Sequence, residues 1–418
     1  MSGAGSPPLR LLEGLGLEIE YMLVARDTLD VRPISDRVLF AASGNDSGDH
    51  ENGRIGWSNE LVRHVLELKM SAPAPNLAGI AAAFQENVRE VNARLAPLAA
   101  RLMPTGMHPW MDPRRETELW PFAYAEVYRA YDALFDCRRH GWANLQSVHL
   151  NLSFGDDEEF GRLHAAVRLV LPLIPALAAS SPLMEGRLTA HLDERLEVYR
   201  LNSTRVPRMA GTVIPEPVFT RVDYEREILA PLSTDVAALE PTGTLEGEWL
   251  NARGAIARFD RDAIEVRLID TQECPRADVS VAWAVACVVR ALCEERGADL
   301  ATQRAFACEP LKALLVEAIA DCPRARVHDS AFARALGWRQ PTLPTLGELW
   351  AEHLETTVAT ARDSDAALLT PLQTIQRRGT LAERIRQALG PSPSRAVQAE
   401  VYRTLCECLE EGRLFGEE

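Results

Sequence analysis

Apolar and polar positions alternate with a period of two along LGLEIEYMLV (15–24) and again along RHVLELKM (63–70), which predicts strands with one buried and one wet face. Between them AASGNDSGDHENG is almost wholly polar and reads as a solvated loop, since its acids lack the spacing of a calcium-binding loop. From Asn76 to Leu102 the period changes to three to four, through Leu77, Ile80, Phe84, Val88, Val91 and Leu95, and predicts a helix packed on the sheet. Another helix is expected over Tyr124–His140, then a strand over Gln146–Phe154 ended by GDDEE, then a helix from Glu159 to about Ala179. A long stretch from Pro182 to Pro217 is punctuated by Gly186, Pro207, Gly211 and Pro215 and reads as a functional loop. AIARFD and RDAIEVRLID form a predicted hairpin turning at Asp260, Arg261 and Asp262. Val279–Arg296 reads as helix, and from Asp299 onward every segment is helical, with breaks at Pro323, Gly337, Pro341, Pro344 and Gly390. This order predicts an α+β domain over 1–296 and a helical carboxy-terminal region over 297–418, packed on the same domain.

Residues two apart on a strand share a face, so the wet faces can be read directly. Glu18 and Glu20 lie opposite Leu17, Ile19 and Tyr21. Glu67 and Lys69 lie opposite Leu66, Leu68 and Met70, and His149 with Asn151 opposite Val148, Leu150 and Leu152. Glu265 and Arg267 lie opposite Ile264, Val266 and Leu268. Two carboxylates on one strand face repel by about 3 kcal/mol at roughly 5 Å and an effective dielectric near 20, which solvent or a cation must relieve. If the strands form one curved antiparallel sheet with helices on its apolar side, Glu18, Glu20, Glu67, His149 and Glu265 converge on one surface. Oxygen ligands with a single imidazole suit Mg²⁺ or Mn²⁺ better than zinc. A water-covered sheet face with a structural His149 accounts for the same pattern, and the residues alone do not choose between the two.

Composition narrows the partners. The 418 residues suffice for a large core, and a net charge of -15 with no Lys/Arg cluster argues against nucleic acid and anionic membrane surfaces. MSGAGSPPLR lacks an apolar signal core, and Leu169–Ala179 is short and broken by Pro172 and Pro175, so a cytoplasmic protein is expected, neither secreted nor spanning a membrane. The eight cysteines show no CxxC pairing and read as structural thiols of a reducing compartment. No phosphate-loop, dinucleotide, HExxH or GxSxG motif is present.

The segments GLEIEYMLV (16–24), NELVRHVLELKMSAP (59–73), TGMHPW (105–110), SVHLNLSF (147–154), IPALAASSPLMEGR (174–187), IPEPVFTRVDYE (214–225) and IEVRLIDTQECP (264–275), with GTLAERI and CLEEGRLF in the tail, resemble the carboxylate-amine ligase family. That family includes bacterial and plant-type glutamate–cysteine ligases and shares a catalytic sheet with glutamine synthetase. The resemblance implies that Glu18, Glu20, Glu67, His149 and Glu265 bind metal with help from Glu60, and that Arg267 contacts nucleotide phosphates. It gives Arg267 and Glu67 catalytic roles. Arg200 and Asn202, in EVYRLNSTRVPR, match its acidic-substrate loop and are carried over as ligand-binding residues. ATP with Mg²⁺ or Mn²⁺ would be the cofactors, and a glutamate-like acid with an amine acceptor such as cysteine the substrates. The implied reaction is amide formation, γ-glutamyl in type, through an acyl phosphate. A kinase- or phosphatase-like metal site and a degenerate, non-catalytic member of the same fold are the competing readings; a lost ligand would mark the latter, and all five are present. The identity of both substrates and the oligomeric state, a homo-oligomer included, are left open.

Overall fold

The computed structural model describes residues 9–46, 48–245, 250–363 and 365–417. Among the described residues ten strands follow one another: β1 Leu15–Ala25, β2 Asp49–Asn52, β3 Ile55–Asn59, β4 Val65–Met70, β5 Ala100–Met103, β6 Ser147–Ser153, β7 Leu183–Met184, β8 Arg187–Leu188, β9 Ala255–Arg258 and β10 Ala263–Asp270. Eight of them form one sheet in the order β2-β3-β4-β1-β6-β10-β9, with β5 pairing the far end of β1, and β7 with β8 make a separate two-stranded ribbon. Every pairing in the large sheet is antiparallel. The central strand β1 meets β4 over Glu18–Met22 and β6 over Leu15–Ile19, and β5 takes up its last four residues.

The predicted alternation places the core. Leu15, Leu17, Ile19 and Tyr21 of β1 and Val148, Leu150 and Leu152 of β6 are buried with Phe84, Val88 and Val91 of helix Ile80–Leu95 and with Val281, Val285 and Val288 of helix Pro275–Cys293. Leu349, Trp350, Leu372 and Leu409 from the carboxy-terminal helices belong to the same cluster. A second cluster joins Met22, Val24 and Met103 to Leu381, Ile385, Tyr402 and Leu405. Residues beyond 297 thus share the apolar interior of the sheet domain. Two of the carboxy-terminal helices start on reciprocal capping boxes, at Thr345/Glu348 and Thr380/Glu383. Among the described residues no helix is long and apolar enough to cross a membrane.

Several expected elements differ. The polar segment before β3 is not all loop: Ser35–Ser43 is helical, and DHEN pairs with β3 as β2, turning through Gly53 at φ 70°. The helix expected to reach Leu102 stops at Leu95; Pro97 and Ala99, at φ 51°, end it, and the buried residues beyond are β5. The helix expected over Tyr124–His140 stops at Phe135, where Asp136 takes φ 55°. Pro172 and Pro175 divide the helix expected to reach Ala179 into Asp157–Val170, a tight turn and Pro175–Ala178. The long stretch from Pro182 holds β7, β8 and a helix, Glu194–Asn202, whose first turn is capped by Asp193 accepting from Leu196 N at 3.0 Å. Arg200 and Asn202 therefore stand on a helix, not a loop.

Candidate active site

The wet faces of β1, β4, β6 and β10 and the β3–β4 connection line one cavity of about 670 Å³, which takes in Glu18, Glu20, Glu60, Glu67, His149, Glu265 and Arg267. Its geometry follows from strand register: Glu18 sits opposite Lys69 and His149, Glu20 opposite Glu67, and Glu265 opposite Asn151. Local hydrogen bonds then fix each side chain. His149 Nδ1 lies 3.2 Å from Glu18 Oε2, and its Nε2 lies 3.0 Å from Ser147 Oγ. Glu20 Oε2 accepts from Ser147 N at 2.7 Å and Ser147 Oγ at 3.0 Å. Ser58 Oγ donates to Glu67 Oε1 at 2.7 Å, and Asn151 Nδ2 to Glu18 Oε1 at 3.2 Å. Glu265 stands between two guanidiniums, with Arg267 Nε 3.3 Å from Oε1 and Arg258 Nη1 3.3 Å from Oε2.

Among the described residues ligand atoms come together in two groups, Glu18–Glu67–His149 and Glu20–Glu60–Glu67, each within 4.8 Å of one another. Glu67 belongs to both. Its carboxyl is pushed up to about 7 by burial and then by the facing charge of Glu18, against the pull of Lys69 and Ser58. Burial and the charges of Glu20 and Glu67 hold Glu60 well above the usual carboxylate range. Glu18 goes the other way: burial would raise it, but the hydrogen bond and charge of His149 bring it down to about 2. His149 answers in kind, its proton held by Glu18 against the cost of burial. Two carboxyls that bind protons too tightly beside one that does not mark a cluster short of positive charge. Carboxylate oxygens with one imidazole fit Mg²⁺ or Mn²⁺, and the second group offers oxygen alone.

Not every expected residue enters the cavity. Asn202 reaches its edge, where its amide donates to Gly141 O at 2.8 Å. Arg200 is not among the lining residues and instead forms an ion pair with Glu197, Nε to Oε2 at 2.5 Å. It takes this course because a helix separates side chains that a loop would have let converge: Glu197 and Arg200 are one turn apart on the same flank. Arg195, Tyr199, Tyr128, Tyr131 and Arg258 line the cavity without having been expected there. Tyr128 and Tyr131, three apart on helix Ala125–Phe135, carried a readable signal, as did Arg195 and Tyr199, four apart, once their segment is taken as a helix.

Residues 14–407 match glutamate-cysteine ligase family 2. A protein of Archaeoglobus fulgidus without assigned function is 34% identical over 272 residues, covering 65% of this chain and 73% of that one. A Bradyrhizobium diazoefficiens protein provisionally named glutamate–cysteine ligase 2 is 26% identical over 286 residues, 66% of this chain and 59% of its own length. One of similar name from Rubrobacter xylanophilus is 31% identical over 214 residues, and the match spans 53% of it and 49% of this chain. The fold resembles a glutamate–cysteine ligase of Francisella tularensis solved in complex with AMP, with a TM-score of 0.61 and 12% identity over 96% of this chain and 90% of that one. The chain belongs to glutamate-cysteine ligase family 2, a family of ATP-dependent ligases.

Proposed function

We propose that this protein is a magnesium-dependent, ATP-dependent carboxylate–amine ligase that forms a γ-glutamyl-type amide through an acyl phosphate. The observation that carries this reading is Glu67, shared by two groups of ligand atoms in the cavity that also holds Arg267. In this reading Glu18, Glu67 and His149 would hold one divalent cation and Glu20, Glu60 and Glu67 another; Glu265, expected among the ligands, lies outside both groups and fixes the arginines beside them. Such cations, when bound, neutralise charge on the triphosphate.

The chain's own residues do the rest by position and charge. Arg267, whose charge the carboxylates of Glu265 and Glu20 hold against the cost of burial, is set to contact the phosphates. A substrate carboxylate oxygen attacks the γ-phosphorus and ADP leaves; the amine then attacks the acyl carbon and phosphate leaves. No protein nucleophile is needed. Tyr128 and Tyr131 also line the cavity, and exclusion of water there would protect an acyl phosphate from hydrolysis. We assign the chemistry to residues 1–296, with 297–418 as its helical support, and the acid to a glutamate-like compound joined to an amino compound such as cysteine. All eight cysteines are free, which accords with a reducing cytoplasm.

The reading is tested by ADP release across a matrix of amino acids, each with and without amine acceptors. Release that needs an acid and an amine together supports it. Rapid release with neither points to a phosphohydrolase.

A further inference from the structure

The register of β10 against β6 shifts between Val266 and Ile269, so Arg267 and Leu268 lack register partners on β6. Bulges of this kind re-aim side chains, and their main-chain groups must find other partners. On the β9 side Gly254, next in register after Ala255, gives its own N–H to Val213 O at 2.8 Å, so Arg267 makes only half of that pair, its N–H donating to Gly254 O at 2.9 Å. The Arg267 carbonyl accepts from Arg195 Nη2 at 2.7 Å. The same guanidinium, 2% exposed, places Nη1 3.2 Å from Asp270 Oδ1, the last residue of the strand. One planar fork therefore spans the far half of the bulge, a geometry that lysine cannot copy.

Asp270 is fixed in turn. Its Oδ2 accepts from Ser180 N at 2.9 Å and from Ser181 Oγ at 2.8 Å, while Ser181 Oγ accepts from Arg195 N at 3.1 Å. Gly106 of TGMHPW lies flat against the carboxylate: a Cβ there would stand 2.6 Å from Asp270 Cγ. Its N–H donates to Ser180 Oγ at 2.8 Å. Segments around Gly106, Ser180 and Arg195, far apart in the chain, thus meet on one carboxylate behind the bulge.

We propose that Arg195, oriented by Asp270, is the positioning residue for Arg267, holding the bulged main chain so that the Arg267 guanidinium faces the cavity. The inference rests on the proposed phosphate-binding role of Arg267 for its kinetic consequence, but not for its structural one. Arg195 acts through the carbonyl of Arg267, and the acid and the amine do not require it as a contact.

The test combines a double-mutant cycle with hydrogen exchange on the full chain, using Arg195→Met, Arg267→Lys and the double variant. With an acid–amine pair that supports turnover, each single variant is expected to lower kcat at saturating ATP by about 10- to 100-fold, the range for groups that orient an active-site ligand. The double variant should be no slower than the worse single one, and the KM for the acid should not move. Amide exchange within Ala263–Asp270 should quicken in Arg195→Met and not in Arg267→Lys. Losses that multiply, or a loss confined to the KM of the acid, would make Arg195 an independent or substrate-contacting residue and overturn the proposal. Unchanged exchange in β10 would overturn it equally. Gly106→Ala, whose methyl displaces Asp270 while leaving Arg195 in place, should give the same kinetic and exchange pattern and replaces Arg195→Met if that variant does not fold. If Arg267→Lys keeps full turnover while β10 still loosens in Arg195→Met, the positioning stands and the phosphate role of Arg267 falls.

Discussion

Glu20 and Glu67 are register partners across β1 and β4, so two carboxylates stand directly opposite one another on the wet face of the sheet. Like charges in this position destabilise a strand pair. At about 5 Å and an effective dielectric near 20 the repulsion is about 3 kcal/mol. A cation that binds only the folded state relieves it and raises stability with concentration. Millimolar Mg²⁺ is therefore expected to raise the melting temperature of the parent. In Glu67→Gln the shift and the activity should both fall, while the metal-free form is as stable as the parent or more so. A less stable metal-free variant with an undiminished magnesium shift would remove Glu67 from the ligands.

The pH dependence follows from the same carboxyl. Glu67 rises from an ordinary value of 4.5 to about 7 on folding. The folded state therefore holds this proton more tightly, and its contribution is complete below 4.5 and lost as pH rises through about 7. That loss amounts to about 3 kcal/mol at pH 8. Glu18, brought down to about 2, works in the opposite sense: its contribution is present above the ordinary value and disappears only as pH falls through about 2. As pH falls from 7 to 5 the magnesium affinity should thus weaken by up to about tenfold per unit, roughly 50-fold in all, as Glu67 takes up its proton. Isothermal titration across this range checks it, and an affinity flat from pH 8 to 5 would contradict the assignment.

Arg267→Lys keeps the charge beside Glu265 but loses the planar fork that can hold two phosphate oxygens. The expected loss is roughly 10²-fold in kcat with nucleotide saturating, as for removal of one electrostatic donor. Steady-state kinetics at saturating ATP decide the point. Near-normal turnover would take Arg267 out of the reaction.

A stability prediction concerns the far end of the chain. Arg384 Nη1 lies 2.7 Å from Glu273 Oε1 and 3.0 Å from the Phe415 carbonyl, with side chains 3% and 0% exposed in the ion pair. Glu273→Gln leaves that guanidinium buried without its counter-charge, which should cost about 3–5 kcal/mol. Urea denaturation measures the change. A difference under about 1 kcal/mol, as for exposed pairs, would mean that the tail is not anchored there.

Much of this site was legible because period two is rigid: once Leu17 and Ile19 are buried, Glu18 and Glu20 have no choice of face. The hairpin ending in β10 was readable for the same reason. What the pattern concealed lay where burial is complete or where turns decide. Residues Ala100–Met103 are buried on both faces and extend the apolar run of the preceding helix, so nothing in their polarity announced a strand. The helix carrying Arg195 was hidden among prolines and glycines, its amphipathic pattern too weak to separate it from a loop. Arg200 was misplaced as a consequence. The register shift beneath Arg267 leaves only a faint mark on the alternation, the adjacent and buried Leu268 and Ile269, while Glu265 and Arg267 keep the shared face that period two predicts.

The central claim, that ATP activates a carboxylate for attack by an amine, is tested most directly by isotope transfer. An acid that supports ADP release is labelled with ¹⁸O in the reacting carboxylate and turned over with its amine partner. Attack of that carboxylate on the γ-phosphorus predicts one ¹⁸O in each phosphate released and one fewer in the amide. Phosphate carrying oxygen from water instead, with the carboxylate label intact, would contradict it.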